Sequence, residues 1–258
     1  MGHLRLGNLH KTRRWTEVIG MLDAGAGADE IASGALDASE KAFFEASHDL
    51  GFKYTVWLLT QVALAAKKEG FRDELVRIGL DVPRTPGLFD ILGAFTRHID
   101  SRLDSGKTRT DISEMCQLAA VEALSEKCIE RSKSLFGTTP DTVRNAFREL
   151  STENNFALLA RDFFSRFTYR YLSYFLSREV PKHVGPKGAL ETIDQHVAFN
   201  EALSLYCRQS AEIVREFSGG WYSKTAHETG ITEDDAGRFA FVALKKLASE
   251  LKRERAEA

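Results

Sequence analysis

Apolar residues recur along this chain at intervals of three and four, the spacing of helices that pack by one face. Nowhere do they alternate cleanly between turn signals as a strand requires. Behind Thr12 as a cap, Trp15, Val18, Ile19 and Leu22 share a face of a helix from Arg13 to about Ala24, which Gly25 and Gly27 stop. Asp29 to Leu36 reads as a short helix interrupted by Gly34, with a better start at Ser39 that turns Phe43, Phe44 and Leu50 inward. Gly51 to Lys68 is apolar nearly all round, so a buried helix is expected there. Arg72 to Gly79 adds an amphipathic turn or two before the joint at Pro83 and Pro86. With Thr85 as cap and Pro86 at the first helical position, a helix then runs through Leu103 on a stripe of Leu88, Ile91, Leu92, Phe95 and Ile99.

The second half repeats the pattern. Thr110 opens a long helix to Phe136 with Ile112, Met115, Cys116, Ala119, Leu124, Cys128 and Ile129 on its apolar side and Gly137 as its stop. Thr139 and Pro140 start a short helix to Leu150. Ser151 or Thr152 then begins the stretch that organises the chain, Asn155 to Val180, with eight of the 23 Phe and Tyr residues. As a helix it carries Phe156, Phe163, Phe167 and Tyr171 on one face and Asp162, Arg166, Arg170, Ser173 and Ser177 on the other. A loop of Pro181, Gly185, Pro186 and Gly188 surrounds His183. A helix from about Thr192 to Phe217, closed by Gly219 and Gly220, precedes a terminal two-helix unit. The expectation is an all-α fold, a multi-helix bundle of about nine to eleven helices around Asn155 to Val180. It is read as a single domain over residues 1–258, with a soft boundary at the polar stretch 105–109 between halves 1–104 and 110–258.

Composition narrows the function classes. With 43% hydrophobic and 28% charged residues the chain is globular rather than disordered. The formal charge of −2 supplies no global basic field, so nucleic acid would have to be met by a local patch. Cys116, Cys128 and Cys207 are odd in number and lack CxxC spacing, which reads as reduced core thiols and a cytoplasmic protein. No apolar run of signal-peptide type follows the basic start, and Leu6 stands where N-myristoylation wants Ser or Thr. The most apolar window, Tyr54 to Ala66, is 13 residues long, too short to span a bilayer, so no membrane partner is expected.

Candidate chemistry is sparse. None of the seven histidines pairs with another at helical metal-site spacing, and no phosphate cradle or nucleophile elbow occurs, so neither a metal nor a cofactor is expected. In SREVPKH, Arg178 and His183 with four residues between them resemble the Arg–His pattern of the RNA-cleaving helical HEPN families. That resemblance implies phosphodiester chemistry at His183, although Pro181 breaks the helix that those families keep between the pair. The run TVRNAFREL resembles the recognition helix of winged-helix regulators of the GntR type, with Arg144 and Arg148 on one face at i, i+4 and no wing hairpin after it. In residues 223–242, Ala226, Gly230, Ile231 and Ala236 match a helix-turn-helix corner, and Thr232 with Asp235 makes a capping box. The first turn of its second helix is Thr232, Glu233, Asp234 and Asp235, whose carboxylates would face phosphates. Arg13 and Arg14 beside Trp15 are a further basic cluster.

These readings favour a non-catalytic helical adaptor or assembly subunit of a cytosolic complex, with a protein partner or a second copy meeting Arg166, Arg170, Ser173 and Ser177. The alternative is a nucleic-acid-binding protein using Arg13, Arg14, Arg144, Arg148 or the 223–242 corner. A helical ribonuclease or metalloprotein stands third.

Overall fold

The computed structural model describes residues 12–106, 108–132, 139–179 and 193–257. Among them the chain is all-helical, with eleven α-helices, one 3-10 turn and no strand. The helices are α1 (Arg13–Asp23), α2 (Ala28–Glu45), α3 (Leu50–Ala65), α4 (Phe71–Arg77), α5 (Leu88–Gly106), α6 (Asp111–Ser132), α7 (Pro140–Leu150), α8 (Glu153–Glu179), α9 (Ile193–Ser210), α10 (Glu212–Glu228) and α11 (Glu233–Glu257). The 3-10 turn Ala46–His48 joins α2 to α3. No described helix is long and apolar enough to cross a membrane.

Local signals set many of the starts. Thr12 accepts from the Trp15 amide, and Thr139 and Thr142 cap each other reciprocally with Pro140 at the first position of α7. Asp49 caps α3 through the Phe52 amide at 2.9 Å and accepts from the Thr110 hydroxyl at 2.7 Å. Thr110 in turn caps α6 through the Ser113 amide. Burial pushes the Asp49 carboxyl up, against these hydrogen bonds. The N-termini of α3 and α6 are thus fastened together where Gly51 lets them approach, since a Cβ there would stand 2.3 Å from Ser113 Cβ.

The long aromatic helix α8 is the centre, packed against α2, α6, α7, α9 and α10. Phe52 of α3 meets Phe167 edge-on at 4.7 Å, Phe43 of α2 meets Tyr171 at 5.1 Å, and Phe156 stacks on Tyr222 of α10 at 3.9 Å. The Tyr171 hydroxyl donates to the Ser39 carbonyl at 3.1 Å. Burial extends beyond the Phe stripe, because Arg161, Asp162, Ser165 and Thr168 are buried as well. One apolar core runs from Trp15 to Leu251 and includes residues on both sides of 105–109.

Several expectations from periodicity are corrected. α2 continues through Gly34, which sits against Met21 and Val18 of α1 where a Cβ would be 3.1 and 3.3 Å from their side chains. α5 begins at Leu88 rather than Pro86, with the Asp90 carboxylate accepting from the Gly87 amide, and it runs on to Gly106. Leu50 and Ile129 face outward, 59% and 40% exposed. The helix expected from Thr192 to Phe217 is broken at Ala211, just after Ser210 bonds back to the Tyr206 carbonyl, a contact that bends helices. Gly219 and Gly220 do not terminate it but lie inside α10. The reason is tertiary: a Cβ on Gly219 would stand 2.7 Å from the Glu153 carbonyl at the start of α8.

These two glycines make an internally controlled test. Gly220 has open space around it, so Gly220→Ala should stabilise by about 0.5–1 kcal/mol through helix propensity. Gly219→Ala should instead destabilise by about 1–3 kcal/mol through overpacking against α8. Urea denaturation of both variants checks the opposite signs.

Candidate functional site

The strip of α8 left partly open is polar. Asp162, Ser165, Arg166, Tyr169 and Arg170 recur at i, i+3, i+4, i+7 and i+8, and so form one stripe. On one side stand Glu122 and Glu126 of α6, on the other Ser204 and Arg208 of α9, and together they line a cleft of about 230 Å³. Arg166 Nη1 donates to Glu122 Oε2 at 3.0 Å and its other nitrogen bonds Glu126, while Arg170 bonds the second oxygen of Glu122. The two arginines and two glutamates are therefore held in a fixed lattice across the α6–α8 seam.

Beneath it lies a buried ionic chain. Asp162 Oδ2 meets Lys127 Nζ at 2.8 Å and Asp162 Oδ1 meets Arg161 Nη2 at 2.7 Å. Arg161 continues to Glu212 of α10 at 2.6 Å. Lys127, Arg161 and Asp162 are 6%, 8% and 6% exposed. Burial alone would raise the Asp162 carboxyl, but the hydrogen bonds from Lys127 and Arg161 outweigh it and hold it below its ordinary range. An acid held below that range stays ionised near neutrality, so Asp162 contributes fixed charge and hydrogen bonds to the cleft. The thiols are equally inert: burial raises all three cysteines, Cys128 to about 12. Among the described residues no cluster of His, Cys, Asp and Glu is arranged to hold a metal.

The expected site residues are scattered. Arg166 and Arg170 share the cleft, and there they are paired with α6 carboxylates. Among the described residues Ser173 Oγ is buried without a partner, and the exposed Ser177 bonds the Tyr174 carbonyl. Arg13 pairs with Glu17 at 3.0 Å, Arg14 donates to the Asp37 carbonyl at 2.8 Å, and Trp15 is core. Arg144 donates to the Lys68 carbonyl at 3.1 Å, while Arg148 is exposed. Arg178 lies in the last turn of α8 but its side chain, like the whole of His183, is outside the described residues.

The 223–242 corner forms, with Gly230 at φ +73° and the Thr232–Asp235 box in place. Its turn is anchored to the body. Trp57 Nε1 and Gln61 Nε2 donate to the Ile231 carbonyl at 3.0 and 3.2 Å, and Arg102 holds Glu233 at 3.1 Å. Arg102 also covers the Tyr54 ring at 4.8 Å, and the Tyr54 hydroxyl lies 2.5 Å from His98 Nε2. Burial, with Arg102 nearby, lowers His98, and burial raises Tyr54 to about 12. Sequence reasoning missed Lys127, Glu122, Glu126, Ser204, Arg208 and this tether; the i, i+4 glutamates of α6 were the one local signal.

No protein-family model matches the sequence, and neither a search of curated proteins nor one of solved structures finds a match.

Asp162→Asn should lower stability at pH 7 by about 1–3 kcal/mol, because it removes the buried counter-charge that Lys127 and Arg161 share and leaves them only the half-exposed Glu130 and Glu212. The Asp162 contribution is present above the ordinary value of 3.8 and is lost as pH falls through the lower folded value. The gap between wild type and variant should therefore narrow below pH 3.8, which denaturant titration across pH would check.

Proposed function

We propose that this protein is a non-catalytic helical adaptor or assembly subunit that takes side chains of a protein partner into the α6–α8–α9 cleft. The observation that carries the reading is the partly open polar cleft along α8, flanked by apolar residues that stay exposed among the described residues. Leu118 and Ile129 lie on the α6 stripe of Glu122 and are 49% and 40% exposed, and Val197 lies on the α9 stripe of Ser204 and Arg208 at 49%. Arginine and tyrosine are among the residue types that dominate binding hot spots. Arg166 and Arg170 are already ordered by Glu122 and Glu126, so a partner ordering them loses less entropy.

Size supports a protein over a small molecule. About 230 Å³ falls below the range of roughly 300–1,000 Å³ usual for small-molecule sites, but admits one or two side chains of a partner. The nucleic-acid alternative draws less support, because Arg144 is spent on the Lys68 carbonyl and Arg13 on Glu17.

Purification of tagged wild type beside Leu118→Glu and Val197→Glu, read by mass spectrometry, tests this. The expected outcome is a stoichiometric protein recovered with wild type and lost with both variants. A partner-free monomer, a partner retained by both variants, or nucleic acid recovered in its place would sink the reading.

A further inference from the structure

A second uncovered apolar surface lies where the Ala46–His48 turn and the start of α3 meet α11. Asp234, Arg238, Phe241 and Lys245 recur at i, i+4, i+7 and i+11 and form one outer stripe of α11. Phe241 and Val242 are 40% and 42% exposed, and the Phe241 ring lies 6.2 Å from the His48 ring. With Ser47, Lys53 and Gly237 these residues line a groove of about 510 Å³. Leu50, 59% exposed, shares the α3 face of Lys53 at i, i+3 and extends the apolar rim.

Gly237 shapes the floor. A Cβ there would stand 3.1 Å from Lys53 Cδ and Cε, so the lysine stem lies across α11 at the one position without a side chain. Cations outnumber acids around the groove, Lys53, Arg238 and Lys245 against Asp234 and Asp235. Among the described residues no carboxylate pairs with Lys53 or Lys245. Arg238 shares Asp235 at 2.5 Å yet its side chain is 73% exposed, and Asp234 is the single acid in the lining.

We propose that this groove is a second docking site, for an acidic amphipathic helix of a partner protein. The apolar face of that helix seats on Phe241, Val242 and Leu50, and its carboxylates meet Lys53, Arg238 and Lys245. A concave groove fits a helix better than it fits the flat surface of a bilayer. The site shares no lining residue with the cleft, so it adds to the adaptor reading the second surface that bridging two partners needs.

The probe is a fluorescein-labelled peptide of about fifteen residues, long enough for a helix, with leucine at every third or fourth position and glutamate between. Fluorescence anisotropy with the full chain should show saturable binding that weakens with salt. Binding should weaken about tenfold or more in Phe241→Ala and in Lys53→Glu, and stay unchanged in Val197→Glu of the cleft. Circular dichroism melts confirm that each variant is folded, and Val242→Ser replaces any that is not. No saturation, equal binding of a peptide with lysine for glutamate, or indifference to both groove variants overturns the proposal. So does Phe241-dependent binding to phosphatidylserine vesicles without binding of the peptide. If the cleft reading fails while peptide binding keeps its dependence on Phe241, the groove stands by itself.

Discussion

The structure depends on a helix that is closed in by five neighbours while still carrying charge. Were α8 apolar all round, burial would be enough, because apolar packing has no preferred direction. Arg161 and Asp162 lie inside instead, and an ion taken out of water is tolerated only with its partners complete. Lys127 comes from α6 and Glu212 from α10, so the completed chain spans three helices. We read it as the device that sets the register of α6 and α10 on α8. Sliding either helix by one turn would leave the aromatic contacts partly satisfied but would strip a buried charge of one of its partners. Gly219 against the Glu153 carbonyl is the steric counterpart about two turns further along α10, where backbones rather than side chains determine the approach.

How far the sequence could be read follows from where each signal resides. Caps at Thr12, Thr139 and Thr232 are local chemistry, and they form where the residues imply. The aromatic helix was legible because its period and length agree. The double glycine was misread because its local meaning, a stop, is overruled by a neighbour from another part of the chain. Leu50 and Ile129 fit an inward period but face outward, since a period shows which residues share a face and not whether anything covers it. The same limit applies to the cleft: Arg166 and Arg170 could be assigned to a polar face, whereas their pairing with Glu122 and Glu126 exists only once α6 lies beside α8.

The cleft and the groove use charge differently. In the cleft, cations and carboxylates are already matched across helices, so a partner adds shape and hydrogen bonds to an ordered lattice, and salt should matter little to partly buried pairs. Around the groove, Lys53 and Lys245 have no carboxylate within the described chain, so long-range attraction is available to steer an acidic partner.

α11 shows how the rest of the chain decides which part of a helix remains for binding. Its first turn resembles the start of a recognition helix, but Asp235 caps it, Glu233 is held by Arg102, and the carbonyl before it is taken by Trp57 and Gln61. Its inner face, with Ala236, Ala240, Ala243, Leu244 and Leu247, is core. What remains is the middle of the outer stripe, where Phe241 lies between Arg238 and Lys245. A contact made by α11 would therefore use this apolar and cationic stretch at mid-helix, a geometry that lies along another helix rather than entering a nucleic-acid groove by its N-terminus.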